Sequence, residues 1–125
     1  MTDLFIESTK STPAVFFNVE KGVLRICGKS LPENGIEFYK NIDKLLDKFI
    51  AEHPKCLLEF TCEFEYVNTS SSKAVYNLLK KAVDKLRNNV TIHWSYEEDD
   101  EDMQEQGMDF ADALGVEFQY RIFAA

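Results

Sequence analysis

From Leu58 to Tyr66 apolar and polar side chains alternate without a break. Leu58, Phe60, Cys62, Phe64 and Tyr66 fall on one side, and Glu59, Thr61, Glu63 and Glu65 on the other. A period of two belongs to an extended strand with one face buried and one in water. The pattern recurs at Val90, Ile92, Trp94 and Tyr96, and again at Val116, Phe118, Tyr120 and Ile122. Strands covered on both faces read as continuous apolar runs, so polar faces on three strands restrict the helices to one side of the sheet.

The remaining elements fit that restriction. Ala14–Val19 and Val23–Gly28, joined through Glu20, Lys21 and Gly22, read as a hairpin. Ile36, Tyr39, Ile42, Leu45, Leu46, Phe49 and Ile50 recur at helical spacing and stop before Pro54, and Ala74, Val75, Leu78, Leu79, Ala82, Val83 and Leu86 form a second stripe. A weaker helix spans about Asp100 to Leu114, with Met103, Phe110, Ala111 and Leu114 as its apolar positions. The order ββαβαβαβ predicts an α/β domain over residues 1–125. It has two layers, a mixed sheet of about five strands and helices on one face.

Several functions are disfavoured. The net charge of −8 repels phosphate backbones and anionic lipid surfaces, so neither nucleic acid nor membrane is expected as a partner. Asp3, Glu7 and Lys10 interrupt the apolar start that a secretory signal needs, and no run is long enough to span a bilayer. The expected location is the cytoplasm. Cys27, Cys56 and Cys62 form no CxxC and read as small buried hydrophobes, while His53 and His93 lack partners at ligand spacing, so no metal is expected. No glycine-rich phosphate loop occurs, and neither a cofactor nor a small-molecule ligand is expected. Glu59, Glu63 and Glu65 read as a solvated strand face, and His93 as a base without a nucleophile. Glu97 to Glu105 is acidic at every position but Met103 and Gln104, yet it lacks the alternating ligands and central glycine of an EF-hand loop. It reads as a solvated lead into a helix N-terminus, and also as a surface suited to a basic partner.

The segment Tyr66-Val67-Asn68-Thr69-Ser70-Ser71-Ser72-Lys73 sets a run of hydroxyls between a strand and a helix. One of its side chains caps the helix and the others can be solvated. Alternatively one hydroxyl accepts phosphate, because a helix N-terminus tolerates added negative charge.

Ser11-Thr12-Pro13, Pro32-Glu33-Asn34 and Tyr66-x-Asn68-Thr69-Ser70-Ser71, in this order and at these places, resemble the SiaC family of bacterial regulatory phosphoproteins. The resemblance covers essentially the whole chain. It implies a fold like that of STAS domains and anti-sigma factor antagonists, and a non-enzymatic switch. It further implies Thr69 as phospho-acceptor with Ser70 and Ser71 as runners-up, a kinase of the GHKL ATPase type and a PP2C-type phosphatase. The unphosphorylated form would bind and activate a diguanylate cyclase, tying the switch to cyclic-di-GMP and biofilm formation. Asn68, Ser70, Ser71, Ser72 and Lys73, with Pro32, Glu33 and Asn34, are the expected docking residues. Three other readings stay open: a constitutive adaptor in which the hydroxyls only cap a helix, a partner-switch component with a different output, and a small enzyme built on His93 or a cysteine.

Overall fold

The computed structural model describes residues 3–124. Its strands are β1 (Leu4–Ile6), β2 (Ala14–Asn18), β3 (Val23–Ser30), β4 (Leu58–Val67), β5 (Val90–Glu97) and β6 (Gln119–Phe123). The helices are α1 (Gly35–Glu52), α2 (Thr69–Leu86) and α3 (Glu101–Leu114). The strands lie side by side in sequence order in one mixed sheet. β1, β2 and β3 are antiparallel, and β3 to β6 are parallel and separated by the helices. Because the strand order never reverses, crossovers of one hand leave α1, α2 and α3 on the same face.

Among the described residues the sheet has six strands where the sequence pattern predicts about five. The additional one, β1, pairs Phe5 with Phe16 and Ile6 with Val15, and three residues are too few for alternation to stand out. Between sheet and helices lie Phe17, Leu24, Ile26, Phe60, Cys62, Phe64, Ile92 and Trp94 from the strands, against Ile42, Leu46, Phe49, Val75, Leu78 and Leu79. α3 meets this core through a close approach: a Cβ on Gly107 would fall 2.4 Å from the Trp94 ring, whose Nε1–H donates to the Met103 carbonyl at 2.9 Å.

Three expectations about burial are corrected. Alternation assigns Tyr66 to the buried face of β4, but Tyr66 is 53% exposed. Phe64 stands opposite Gly28 and Tyr66 opposite Lys29, so Glu65 is the extra residue of a β-bulge, which turns Tyr66 outward and Val67 inward. Tyr120 and Ile122 pair with Trp94 and Tyr96 on the helix side, yet they are 43% and 58% exposed because β6 is the outer strand and α3 packs on β5. β6 also begins later than Val116, whose N–H is held by the Ala111 carbonyl in the cap that follows α3. Among the cysteines Cys62 is buried and Cys27 half-buried, but Cys56 is exposed in the turn after α1.

Burial pushes the Tyr39 phenol and the Cys62 thiol well above their ordinary values of 10.0 and 9.0; the hydrogen bond between Tyr39 and Ser30 opposes the first shift and the charge of Cys27 adds to the second. Both groups hold their protons more tightly folded than unfolded, so their stabilisation is complete below the unfolded values and is lost as pH rises past them. Urea midpoints are expected to stay flat up to about pH 8 and to fall above about pH 9. Constant midpoints through about pH 10.5 would contradict this.

Candidate functional site

β4 runs out at Val67 and the chain turns into α2 at Asn68, whose extended backbone (φ −79°, ψ 172°) places it as the N-cap. Its Oδ1 accepts from the Ser71 N–H at 2.9 Å and its Nδ2 donates to the Pro32 carbonyl at 2.9 Å. One side chain therefore caps α2 and ties down the loop before α1. Asn34 caps α1 in the same way, its Oδ1 accepting from the Glu37 N–H at 3.1 Å. The two helix starts are in contact: the Gly35 N–H donates to Ser70 Oγ at 3.1 Å, and a Cβ on Gly35 would stand 2.7 Å from the Ser70 carbonyl carbon and the Ser71 nitrogen. The Leu31 N–H donates to the Ser11 carbonyl at 2.7 Å. The three sequence motifs thus meet at one corner of the domain.

The four hydroxyls differ sharply in their surroundings. Ser71 is fully buried and its Oγ accepts from Ser30 Oγ at 2.9 Å, while Ser30 lies 2.8 Å from the Tyr39 hydroxyl. With its own proton committed to Ser71, Ser30 accepts from Tyr39, and a buried chain runs from α1 through β3 to α2. Ser70 is partly buried between Gly35 and Asn68, its Oγ 3.3 Å from Asn68 Oδ1. Ser72 hydrogen-bonds Gln106 Nε2 of α3. Thr69 is exposed at the first position of α2, and among the described residues its side chain makes no hydrogen bond.

Thr69 and Ser72 border an open depression of about 420 Å³, with Lys73 one turn along the same helix and Tyr76, Gln106 and Phe110 on the far side. The first turn of α2 holds no acidic side chain, and Lys73 is exposed. Unpaired helix N–H groups, the positive end of the dipole and a nearby ammonium all favour added negative charge here. Glu33 and Asn34 are exposed on the adjoining loop, and Pro32 is partly buried beneath them.

Replacing Asn68 by Ala removes the cap and the Pro32 anchor together and is expected to cost about 1–2 kcal/mol. Asn68→Asp keeps the acceptor but loses the donor, so its thermal melt should fall between wild type and Asn68→Ala.

Elsewhere no nucleophile–base pair is assembled among the described residues. His93 Nε2 lies 3.6 Å from Glu59 on the open sheet face. The Cys27 thiol is pushed up by burial and by Glu63, against the lowering influence of Arg25, which is the opposite of what an activated thiolate requires. Among the described residues no group of three His, Cys, Asp or Glu side chains is placed to hold a metal, and no helix is long and apolar enough to cross a membrane.

Sequence reasoning misses Gly35, Ser30, Tyr39 and Gln106. Ser30 and Tyr39 sit within an apolar strand and an apolar helix stripe, where nothing local marks them as partners. Only the glycine after the Asn34 cap offers a signal, since a glycine at a helix start invites close backbone approach.

Comparison with known proteins gives a consistent result. A family model described as SiaC family regulatory phosphoprotein matches residues 6–123. An uncharacterized protein of Pseudomonas aeruginosa (strain UCBPP-PA14) is 30% identical over 120 residues, 94% of each chain. The structure of SiaC of Pseudomonas aeruginosa superposes with a TM-score of 0.80 at 30% identity, covering 100% of both chains. SiaC of the same organism, solved in complex with the diguanylate cyclase SiaD and described there as its activator, gives a TM-score of 0.84 at 30% identity over 98% of this chain and 100% of that one.

Proposed function

The chain belongs to the SiaC family of regulatory phosphoproteins, and from that membership we propose that it is a non-enzymatic switch whose unphosphorylated form binds and activates a diguanylate cyclase. Thr69 is the reversible phosphate acceptor. A serine/threonine kinase of the GHKL ATPase type adds the phosphate and a PP2C-type phosphatase removes it, both in the cytoplasm. The partner surface consists of the Thr69 helix end and the Pro32–Asn34 loop beside it.

The observation that carries this reading is the contrast among the four hydroxyls. Thr69 is exposed and free of side-chain hydrogen bonds among the described residues, whereas Ser70, Ser71 and Ser72 each hold a neighbouring element in place. Phosphate on Ser71 would have to displace the buried Ser30–Tyr39 chain; phosphate on Thr69 displaces nothing and sits at a helix N-terminus. It adds nearly two negative charges to the rim of the depression, enough to break a close-packed contact.

Incubation with ATP and the cognate kinase, followed by intact-protein mass spectrometry, is expected to add one phosphate to the wild-type chain and none to Thr69→Ala. A phosphate that persists on Thr69→Ala moves the acceptor to a serine. An unmodified wild-type chain, with binding indifferent to charge at position 69, favours the constitutive adaptor.

A further inference from the structure

β6 is the outermost strand of the sheet, so among the described residues one row of its backbone N–H and C=O groups has no partner strand. Outer strands are commonly protected by charge, proline or a bulge on the buried side, but the helix-side positions of β6 are Tyr120 and Ile122, both largely exposed. Next to them, between β6 and α3, lies a groove of about 570 Å³ floored by Tyr96 and Phe118 and walled by Met108, itself 53% exposed. An open strand edge beside an apolar groove under a helix is the arrangement that captures extended peptides: the strand supplies main-chain hydrogen bonds and the groove takes alternate side chains.

The rim has a single sign of charge. Asp112 and Glu117 border the groove, and α3 carries Glu101, Asp102, Glu105 and Asp109 besides, with no basic residue along its length. Two carboxylates bordering an apolar slot, beside a helix that carries no basic residue, favour a ligand whose apolar anchors are flanked by cations.

We propose that an extended segment of a partner protein docks as a seventh strand on β6, with apolar side chains at alternate positions entering the α3–β6 groove and lysine or arginine at either end of that row. The surface is distinct from the Thr69 depression, since α3 turns Gln106 and Phe110 to the latter and Gln104, Met108 and Asp112 to the groove. It makes no use of Thr69 and stands or falls separately from the switch.

The probe is the synthetic peptide Lys-Thr-Val-Thr-Leu-Thr-Lys, titrated into the full-length isotope-labelled protein and followed by amide NMR. Two controls accompany it: the same peptide with Glu for Lys, and a shuffled one, Lys-Thr-Thr-Val-Leu-Thr-Lys, of equal composition without alternation. Shifts confined to β6 and α3, and weaker binding of both controls, are expected. Ile122→Asp should weaken the probe about tenfold, the loss of roughly one buried aliphatic side chain. Glu117→Lys, an exposed change that leaves the core alone, should weaken the Lys probe and strengthen the Glu version. The proposal is overturned if the probe does not bind, if its shifts fall at β1 or Thr69, or if the controls bind equally. It is likewise overturned if the wild-type chain is a dimer in solution that Ile122→Asp converts to monomer, because a second copy then occupies the edge.

Discussion

Thr69→Glu is expected to bind the diguanylate cyclase proposed as its partner at least about tenfold more weakly than the wild-type chain, while Thr69→Ala binds it unchanged. The size follows from placing one extra charge within a desolvated contact, where an unfavourable juxtaposition costs several kcal/mol. Phosphate carries nearly twice the charge of a carboxylate, so Glu gives a lower bound on the effect of modification. The fold itself accepts the change. The cap of α2 is the Asn68 side chain and not the Thr69 hydroxyl, so neither substitution removes it. A carboxylate in the first helical turn is worth about 0.3–1 kcal/mol in favour of the helix. Thermal melts of Thr69→Glu should therefore match or slightly exceed wild type, and calorimetric binding measured beside them separates loss of contact from loss of structure. Equal affinities for Thr69→Glu and Thr69→Ala would remove position 69 from the switch.

Gly35→Ala is expected to lower stability by about 2–3 kcal/mol, a fall in Tm of roughly 10 °C. Helix propensity alone argues for the opposite sign, since Ala is favoured over Gly by up to about 1 kcal/mol in a helix. Steric crowding outweighs that preference. The new Cβ would lie 2.7 Å from backbone atoms of Ser70 and Ser71, which cannot swing aside as a side chain would. Either α1 slides or the first turn of α2 unwinds, and the Gly35 N–H to Ser70 bond is lost in both cases. Amide NMR should show the perturbation reaching Thr69. A stabilised Gly35→Ala chain would mean that the two helix starts are not in the close contact described.

The helices were legible in the sequence because each has an apolar stripe, and the hydroxyl-rich run from Asn68 also marked the start of α2; that Asn34 and Asp100 cap α1 and α3 is visible only in the structure. Strand alternation located β4 and β5 but failed at Tyr66, where a bulge inserts Glu65 and reverses the side-chain parity, an event no period can reveal. It failed at Tyr120 and Ile122 for another reason. Alternation reports which face a residue occupies, and not whether a helix extends over it. At the candidate site the hydroxyl run and Asn68 were visible, and the family resemblance singled out Thr69, but the different surroundings of the four hydroxyls were not. The burial of Ser71 depends on Ser30 and Tyr39, which lie 41 residues before Ser71 along the chain in the first case and on a different helix in the second.

The side-by-side sequence order of the six strands has a consequence for synthesis on the ribosome. From β2 onward, every strand that emerges finds its neighbour already made and never has to be threaded between two strands that have paired. The hairpin of β2 and β3 can wait as a template, and each later helix–strand unit adds to the growing edge as it leaves the exit tunnel. The last unit to arrive is α3 with β6. Among the described strands β6 is thus the last to be made, and it joins a sheet whose other five strands have already left the ribosome.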